Sequence, residues 1–212
     1  MSSVRFPGKM LATFCGRPLV SSVINGIARG WPRSQVIVLT STHSSDDELA
    51  KFVVHDCGVA VFRGELDNVV ARFQACLETH PCDWFVRISG DSPLMDGALV
   101  RRMTEFIAPE LDVVSNVKRR TFPSGQSVEC VRTAAFASLD PATLTAAQRE
   151  HVTTVFYDGP QWNVRSIVCR DPQWASKRLV VDTIEDLHAL EAFADTDAGR
   201  TLSFSSLAEI DG

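Results

Sequence analysis

Residues 35–62, QVIVLTSTHSSDDELAKFVVHDCGVAVF, contain the pattern that decides the fold class. Gln35 to Thr40 form a nearly continuous β-branched run, which predicts a strand buried on both faces. Two serines and three acidic residues at 44–48 predict a helix N-terminus, and Gly58 predicts the end of that helix. Val59 to Phe62 predict a second strand. The order of strand, helix and strand is typical of a parallel sheet covered by helices.

The same alternation extends over the rest of the chain. Further helices are predicted at 18–30, 68–79, 96–107, 132–138, 145–157 and 184–194, and further strands at 84–88, 111–115, 162–168 and 178–181. Residues 127–131 alternate polar and apolar, as in an edge or antiparallel strand. We therefore predict one domain over residues 1–212, an α/β fold of three layers with a mainly parallel sheet and helices on both faces. In such sheets ligands bind at the carboxyl ends of strands.

Composition excludes several classes of protein. The 212 residues include 21 Lys+Arg and 26 Asp+Glu, a net charge of −5, so no basic excess indicates nucleic acid as the main partner. No apolar run approaches the ~20 residues of a membrane span. The six cysteines include no C-x-x-C pair, and Cys57 and Cys130 lie in apolar stretches typical of buried free thiols. With no signal-like apolar core near Met1, these features predict a cytoplasmic protein without a membrane partner.

The N-terminal segment SSVRFPGK, residues 2–9, places two cations four residues apart around a Pro-Gly turn. Backbone N–H groups of such a turn can approach an anion, and Arg5 with Lys9 can hold phosphates. The segment lacks the earlier glycine of a Walker loop. A solvated basic terminus is the alternative.

Two aspartates follow predicted strands directly. Asp91 comes after the strand at 84–88 in VRISGDSPLMD, and Asp182 after the strand at 178–181 in RLVVDTIEDL. Each carboxylate would lie at a strand's carboxyl end, where a magnesium ligand is expected. Each aspartate could instead cap the helix that follows. Two such aspartates in one sheet favour a shared metal bound to nucleotide phosphates.

Seven segments in order resemble a known family: SSVRFPGKML, VIVLTSTHSSDDELA, VAVFRGELDNVVARF, VRISGDSPLMD, VVSNVKRRTFPSGQSVEC, REHVT and RLVVDTIEDL. The chain resembles the cytidylyltransferases of the spore-coat polysaccharide type, which are related to acylneuraminate cytidylyltransferase and CMP-Kdo synthetase. The resemblance covers residues 2 to about 195 and implies a fold like that of the nucleotide-diphospho-sugar transferases. It also implies a reaction in which the hydroxyl of an acidic sugar attacks the α-phosphate of CTP and pyrophosphate leaves. The implied cofactor is Mg²⁺, and the implied oligomer is a homodimer.

The resemblance assigns roles to individual positions. The implied catalytic residues are Arg5, Lys9 and Asp91, and the implied metal ligands are Asp91 and Asp182. The implied nucleotide-binding residues are Arg5, Lys9, Ser41, Arg63, Asp67, Arg72 and Asp91. The implied sugar-binding residues are Asn116, Gly125, Glu129, Glu150 and His151. For His151 a structural role on a helix is an equal alternative, and Arg119 and Arg120 are either carboxylate ligands or solvated surface.

Relatives in this family begin with a hydrophobic strand of the type Ile-Ile-x-Ala-Arg, whereas this chain starts inside the basic loop that follows it. We therefore expect the first strand to be missing, through an internal start or a native shortening, and a chain that folds but is weakly active. Two alternative functions stay open. One is a nucleotide-sugar-dependent glycosyltransferase, although its usual Asp-x-Asp is absent, and the other is a non-catalytic nucleotide-binding partner in polysaccharide assembly.

Overall fold

The computed structural model describes residues 5–211, over which strands alternate with helices. The strands are β1 Thr13–Phe14, β2 Arg17–Pro18, β3 Ile37–Ser41, β4 Ala60–Gly64, β5 Trp84–Arg87, β6 Val113–Ser115, β7 Glu129–Arg132, β8 Val164–Cys169 and β9 Ala208–Ile210. The helices are α1 Leu19–Ala28, α2 Asp47–Phe52, α3 Val69–Thr79, α4 Gly97–Thr104, α5 Thr133–Ala137, α6 Ala146–His151, α7 Ile184–Ala194 and α8 Asp197–Arg200. The α/β class is confirmed. Residues 2–4 of the basic segment lie outside the described residues.

The strands pair in a mixed pattern. β3 and β4 pair in parallel, and a five-stranded sheet has the order β5-β7-β6-β8-β9. Within the larger sheet β6 and β8 are parallel, whereas β7 is antiparallel to both of its neighbours and β9 is antiparallel to β8. The prediction of a mainly parallel sheet therefore holds for two of these pairs only, because β7 enters between β5 and β6 in the opposite direction. Residues 127–131 were correctly predicted as antiparallel, but β7 is an internal strand.

Helices cover both faces of the larger sheet, which confirms the three-layer arrangement. Successive residues of a strand point to opposite faces. Val114 and Cys130 accordingly join a core with residues of α1, α4 and α7 on one face. Val113 and Val131 join a second core, which contains Phe136 of α5, on the other face. A third core packs α1 and α2 against β3 and β4.

Most predicted helices are confirmed. Two predictions in the C-terminal half of the chain are wrong: the end of one helix and the existence of one strand. α7 has the predicted bounds, and α1 and α3 begin within a residue or so of theirs. The helix predicted at 145–157 ends at His151, because Val152 adopts a left-handed φ of 62°. Residues 178–181 form no strand. Their backbone instead makes an isolated parallel bridge to Ser124 and a hydrogen bond to the carbonyl of Asp91.

α1 and α4 approach closely through glycines. A Cβ added to Gly97, at the start of α4, would lie 2.4 Å from the carbonyl oxygen of Gly26 and 2.7 Å from that of Ile27. Only glycine fits there, because both neighbours are backbone atoms. This contact fixes α4 and so the loop at 88–96 that leads into it from β5.

In residues 5–211, no helix combines the length and the apolar content that a membrane span requires. Cys57 and Cys130 are buried free thiols, as predicted. Burial raises the pKa of Cys130 to about 12, which makes this thiol unreactive at neutral pH.

Candidate active site

Lys9 lies between the two aspartates that follow predicted strands. Its Nζ is 3.4 Å from Asp91 Oδ2 and 3.4 Å from Asp182 Oδ1, and it donates a 2.7 Å hydrogen bond to the carbonyl of Val181. The Lys9 side chain is only 13% exposed. Gly8, whose φ of 75° is left-handed, starts the 3-10 turn Lys9–Leu11 and so turns the lysine inward. Three residues from distant parts of the sequence therefore form one charged cluster.

Backbone contacts hold the two aspartates next to each other. The N–H of Val181 donates a 2.9 Å hydrogen bond to the carbonyl of Asp91. The segment at 178–181 is thus bound to the loop after β5, although it forms no strand. The predicted proximity of Asp91 and Asp182 is present in the structure.

Neither aspartate caps a helix. The N-cap of α4 is Asp96, whose side chain accepts from the N–H of Ala98. The N-cap of α7 is Thr183, which forms a capping box with Asp186. Since the helix ends are satisfied by other residues, the capping alternative for Asp91 and Asp182 is wrong.

Asp182 is surrounded by cations. Besides Lys9, Arg5 approaches its Oδ1 at 3.1 Å and Arg178 its Oδ2 at 2.5 Å. Burial raises the pKa of Asp182, but the hydrogen bond from Arg178 and the charges of Lys9 and Arg5 outweigh burial, so the pKa lies below its ordinary value. Arg178 also contacts Asp186 at 3.5 Å. Arg178 and Asp186 were not predicted as part of the site, although Arg178 lies four residues before Asp182, a spacing at which opposite charges often pair.

Asp91 and Asp182 are the carboxylates that could hold a magnesium ion, whose other ligands would be water and phosphate oxygens. In residues 5–211, no group of three or more His, Cys, Asp or Glu side chains could hold a metal ion. Magnesium typically binds through one or two carboxylates together with substrate phosphates, so a pair of aspartates suffices. Asp91 is the freer ligand, because within residues 5–211 its Oδ1 accepts a hydrogen bond from Ser92 Oγ alone, at 3.4 Å, whereas Asp182 contacts three cations.

The predicted nucleotide-binding residues lie at the carboxyl ends of β3 and β4. Ser41 is buried, and its Oγ donates a 2.7 Å hydrogen bond to Asp46. Arg63 donates from Nε to the carbonyl of Ser41 at 2.8 Å and pairs with Asp47 at 2.7 Å. The strand ends are therefore ordered by an arginine and by a buried aspartate, Asp46, which sequence reasoning missed.

Two further predicted nucleotide-binding residues lie beyond β4. Arg72, on α3, donates to the carbonyls of Glu65 and Leu66, so it closes the loop between β4 and α3. Burial lowers the pKa of Arg72. Asp67 lies exposed in the same loop. Within residues 5–211, neither residue forms a hydrogen bond or an ion pair with Lys9, Asp91 or Asp182, and their predicted role stays a prediction.

The predicted sugar-binding residues Asn116 and Gly125 hold the chain between β6 and β7. Asn116 is 1% exposed, donates to the carbonyl of Gln126 at 2.7 Å and accepts from the N–H of Val128 at 2.8 Å. Gly125 has a φ of 93°, and a Cβ there would lie 2.1 Å from the carbonyl oxygen of Leu179. Both residues therefore shape the loop that packs against the segment before Asp182.

Glu129 is buried in a network of hydrogen bonds. Its Oε2 pairs with Arg87 Nη1 at 2.9 Å, and its Oε1 accepts from Thr153 Oγ1 at 2.7 Å and from the Tyr157 hydroxyl. The carboxylate is 1% exposed. A direct contact with a sugar would require it to leave this network. Sequence reasoning missed Arg87, although its position at the end of β5 was a signal.

Glu150 and His151 are exposed at the end of α6. Val152 follows with φ 62° and ψ −58°, and the N–H of Thr153 donates to the carbonyl of His151 at 2.6 Å. These values define a γ-turn of the strained kind, which is rare for a β-branched residue. The turn leaves His151 exposed at the surface and buries Thr153, whose hydroxyl donates to Glu129.

The fold and this cluster define an α/β protein of the nucleotidyltransferase kind, with paired carboxylates and cations at the carboxyl ends of strands. The Cytidylyltransferase family model matches residues 1–200, so the chain belongs to the cytidylyltransferase family.

Individual relatives agree with this family. The chain is 27% identical over 205 residues to the spore coat polysaccharide biosynthesis protein SpsF of Bacillus subtilis, covering 91% of this chain and 82% of SpsF. It is 33% identical over 117 residues to the 3-deoxy-manno-octulosonate cytidylyltransferase of Bdellovibrio bacteriovorus, covering 53% of this chain and 45% of that protein. The solved structure of a cytidylyltransferase from Leptospira borgpetersenii superposes with a TM-score of 0.88 at 24% identity, covering 98% of this chain and 88% of that chain, which shows a shared fold.

Proposed function

We propose that this protein transfers CMP from CTP to an acidic sugar, releasing pyrophosphate and a CMP-sugar for surface polysaccharide synthesis. Membership of the cytidylyltransferase family supports the reaction type. The relatives that act on 3-deoxy-manno-octulosonate or bear a spore-coat polysaccharide name support the acceptor and its use. A homodimer and a cytoplasmic location remain part of the proposal. The observation that carries it is the cluster of Lys9, Asp91 and Asp182.

Transfer of a nucleotidyl group depends mainly on positioning and on neutralising phosphate charge. Lys9 is nearly buried beside Asp91 and Asp182, and the more exposed Arg5 lies 3.1 Å from Asp182. In the proposed reaction Arg5 and Lys9 neutralise the triphosphate and the leaving pyrophosphate. Arg178, 49% exposed beside Asp182, adds a third cation.

Asp91 and Asp182 would hold the magnesium ion. When bound, this ion neutralises phosphate oxygens and stabilises the charge that develops on the leaving group. In the structure Lys9 neutralises the two carboxylates. On binding of CTP with magnesium, the contacts between Lys9 and the two aspartates would be replaced by two others. Lys9 would pair with the phosphates, and the magnesium ion would pair with the aspartates.

The proposal is tested by measuring pyrophosphate release from each nucleoside triphosphate with magnesium and a panel of acidic sugars. We expect release with CTP only, and an Asp91→Ala variant should lose at least 100-fold of this activity, about 3 kcal/mol at 1.4 kcal/mol per tenfold. Asp56→Ala is the matched control, because Asp56 is exposed and lies outside the cluster.

Thermal shift with CTP separates binding from turnover. A shift that requires both CTP and magnesium and that Asp91→Ala abolishes supports the assigned site. Magnesium-dependent CTP binding without turnover would favour the non-catalytic alternative. Equal activity of Asp91→Ala and Asp56→Ala would refute the proposed site.

A further inference from the structure

Arg87, the last residue of β5, lies opposite the buried Glu129 of β7. In the strand register Arg87 lies opposite Glu129, Glu129 opposite Ser115, and Ser115 opposite Ser166. The row crosses the larger sheet where β5 and β6 end, the edge at which ligands bind in α/β sheets. Arg87 therefore lies at the ligand side of the sheet.

The carboxylate of Glu129 accepts hydrogen bonds from three side chains, more than an ion pair with Arg87 alone would supply. Thr153 and Tyr157 donate to one oxygen and Arg87 to the other. Ser115 Oγ, 2.7 Å from the Tyr157 hydroxyl, extends the network. Burial raises the pKa of Tyr157, as does the charge of Glu129, so its hydroxyl stays protonated and keeps donating. The carboxylate is thus fixed in one position.

The fixed carboxylate orients a guanidinium that is still accessible. The Arg87 side chain is 22% exposed, against 1% for Glu129. Among residues 5–211, only Glu129 accepts a hydrogen bond from Arg87, through Nη1, so most of the five guanidinium donors are unused. A planar guanidinium with free donors binds a carboxylate in bidentate geometry.

The position of Arg87 also fits the reacting centre of the proposed reaction. Arg87 precedes Asp91 by four residues, so their Cα atoms are at most about 14 Å apart. A sugar whose hydroxyl attacks a phosphate near Asp91 can place its acidic group within reach of the arginine side chain. The two other arginines considered for this role are not oriented by a buried carboxylate: Arg119 is 64% exposed and pairs with Asp211, and Arg120 is exposed and donates to Ser127 Oγ at 3.3 Å.

We propose that Arg87, oriented by the buried Glu129, binds the carboxylate of the acceptor sugar and makes the enzyme specific for acidic sugars. This inference rests on the proposed transfer of CMP to a sugar and names the group that selects the acceptor. Arg87 is the residue that contacts the substrate. Glu129 is a positioning residue that acts through Arg87.

The test compares 3-deoxy-manno-octulosonate and N-acetylneuraminate with their methyl esters in the full chain. Arg87→Met should raise KM for the acids at least 30-fold and leave KM for CTP within twofold. The esters should show the same KM with wild type and variant, since they lack the charge that Arg87 binds. Arg87→Lys should recover part of the loss.

A second variant guards against misfolding. Arg87→Met leaves Glu129 buried without a cation, which destabilises a protein, so the double variant Arg87→Met/Glu129→Gln removes both charges. We expect the double variant to fold, to bind CTP with an unchanged thermal shift and to lose discrimination between acid and ester. Glu129→Gln alone should raise KM for the acids less than Arg87→Met does.

The outcomes separate this inference from the proposed function. If the double variant still prefers acid to ester, or if KM for CTP rises as much as KM for the sugar, the role of Arg87 is refuted. If wild type transfers CMP only to neutral sugars, Arg87 is refuted and cytidylyl transfer stands. A third outcome is a wild type that releases no pyrophosphate but shows a thermal shift with the acids, which the double variant loses; the proposed function then fails and the Arg87 assignment stands. If the wild type shows neither pyrophosphate release nor that thermal shift, the proposed function and the Arg87 assignment both fail.

Discussion

Replacing Lys9 by Met tests the charged cluster on which the proposed function depends. The change removes a hydrogen bond of 2.7 Å to the carbonyl of Val181 and two ionic contacts of 3.4 Å with Asp91 and Asp182. It keeps the length and the apolar stem of the side chain. The two aspartates are left side by side without the cation between them.

The magnitude follows from the burial of the partners. Lys9 is 13% exposed and the two aspartates about a fifth exposed, so these contacts are screened less than surface pairs. A hydrogen bond from a charged donor contributes about 1.5–3 kcal/mol, and each partly exposed ion pair adds up to about 1 kcal/mol. We expect Lys9→Met to lower the free energy of unfolding by about 3 kcal/mol, which in a chain of this size lowers Tm by roughly 6–12 °C.

A second consequence concerns magnesium. In the wild type, Lys9 neutralises Asp91 and Asp182, so magnesium without nucleotide should change Tm little. In Lys9→Met the two carboxylates repel each other, and a divalent cation between them relieves that repulsion. We therefore expect magnesium alone to raise the Tm of the variant more than that of the wild type, while CTP-dependent activity is lost.

The measurement is thermal unfolding at pH 7 with and without magnesium, and Lys51→Met is the matched control. Lys51 pairs with Glu48 at 3.0 Å, but both side chains are two-thirds exposed or more, so solvent screens the pair and its loss should leave the free energy of unfolding nearly unchanged. If Lys9→Met is as stable as Lys51→Met, the cluster contributes nothing to folding. If magnesium stabilises both variants equally, Asp91 and Asp182 do not form a cation site.

Three further predictions concern the surroundings of the site. The pKa of Asp182 is lowered in the fold, so its ionised form stabilises the protein above the unfolded-state pKa of about 3.9, and this stabilisation is lost as the pH falls through the lower pKa of the folded state. The stability difference between wild type and Asp182→Asn in urea should therefore be constant near pH 7 and shrink as the pH falls below the unfolded-state pKa. A difference that does not change with acidification would contradict the assigned ionisation. Val152 has a left-handed φ of 62°, so Val152→Gly should be more stable than Val152→Ala by about 1 kcal/mol in urea unfolding, the reverse of the order in a helix. Gly97→Ala should cost about 2 kcal/mol in the same assay, because the added Cβ would lie 2.4 Å from the carbonyl oxygen of Gly26; an unchanged urea midpoint would show that the two helices can separate.

Local patterns account for the elements that were predicted correctly. α7 was predicted from Ile184 to Ala194 because its apolar spacing is a local pattern, although the cap is Thr183 and not Asp182. β3 was predicted from a β-branched run, although its observed bounds, Ile37–Ser41, are shifted by one residue or more. The errors fall where long-range contacts decide the backbone. The apolar residues at 178–181 resemble a strand, but they are held by the loops around Ser124 and Asp91 instead.

The sequence by itself determined the α/β class, the family and the two aspartates that follow strands, because each depends on residue order and local spacing. Only the tertiary structure decided which charges meet. It placed Lys9 within 3.4 Å of carboxylates that lie 82 and 173 residues further along the chain, and it buried Glu129 behind Arg87. Side chains so distant in sequence leave no periodic signal, since their contact depends on how strands pair and loops pack. The proposed selection of the sugar depends on such a long-range contact, the one between Arg87 and Glu129.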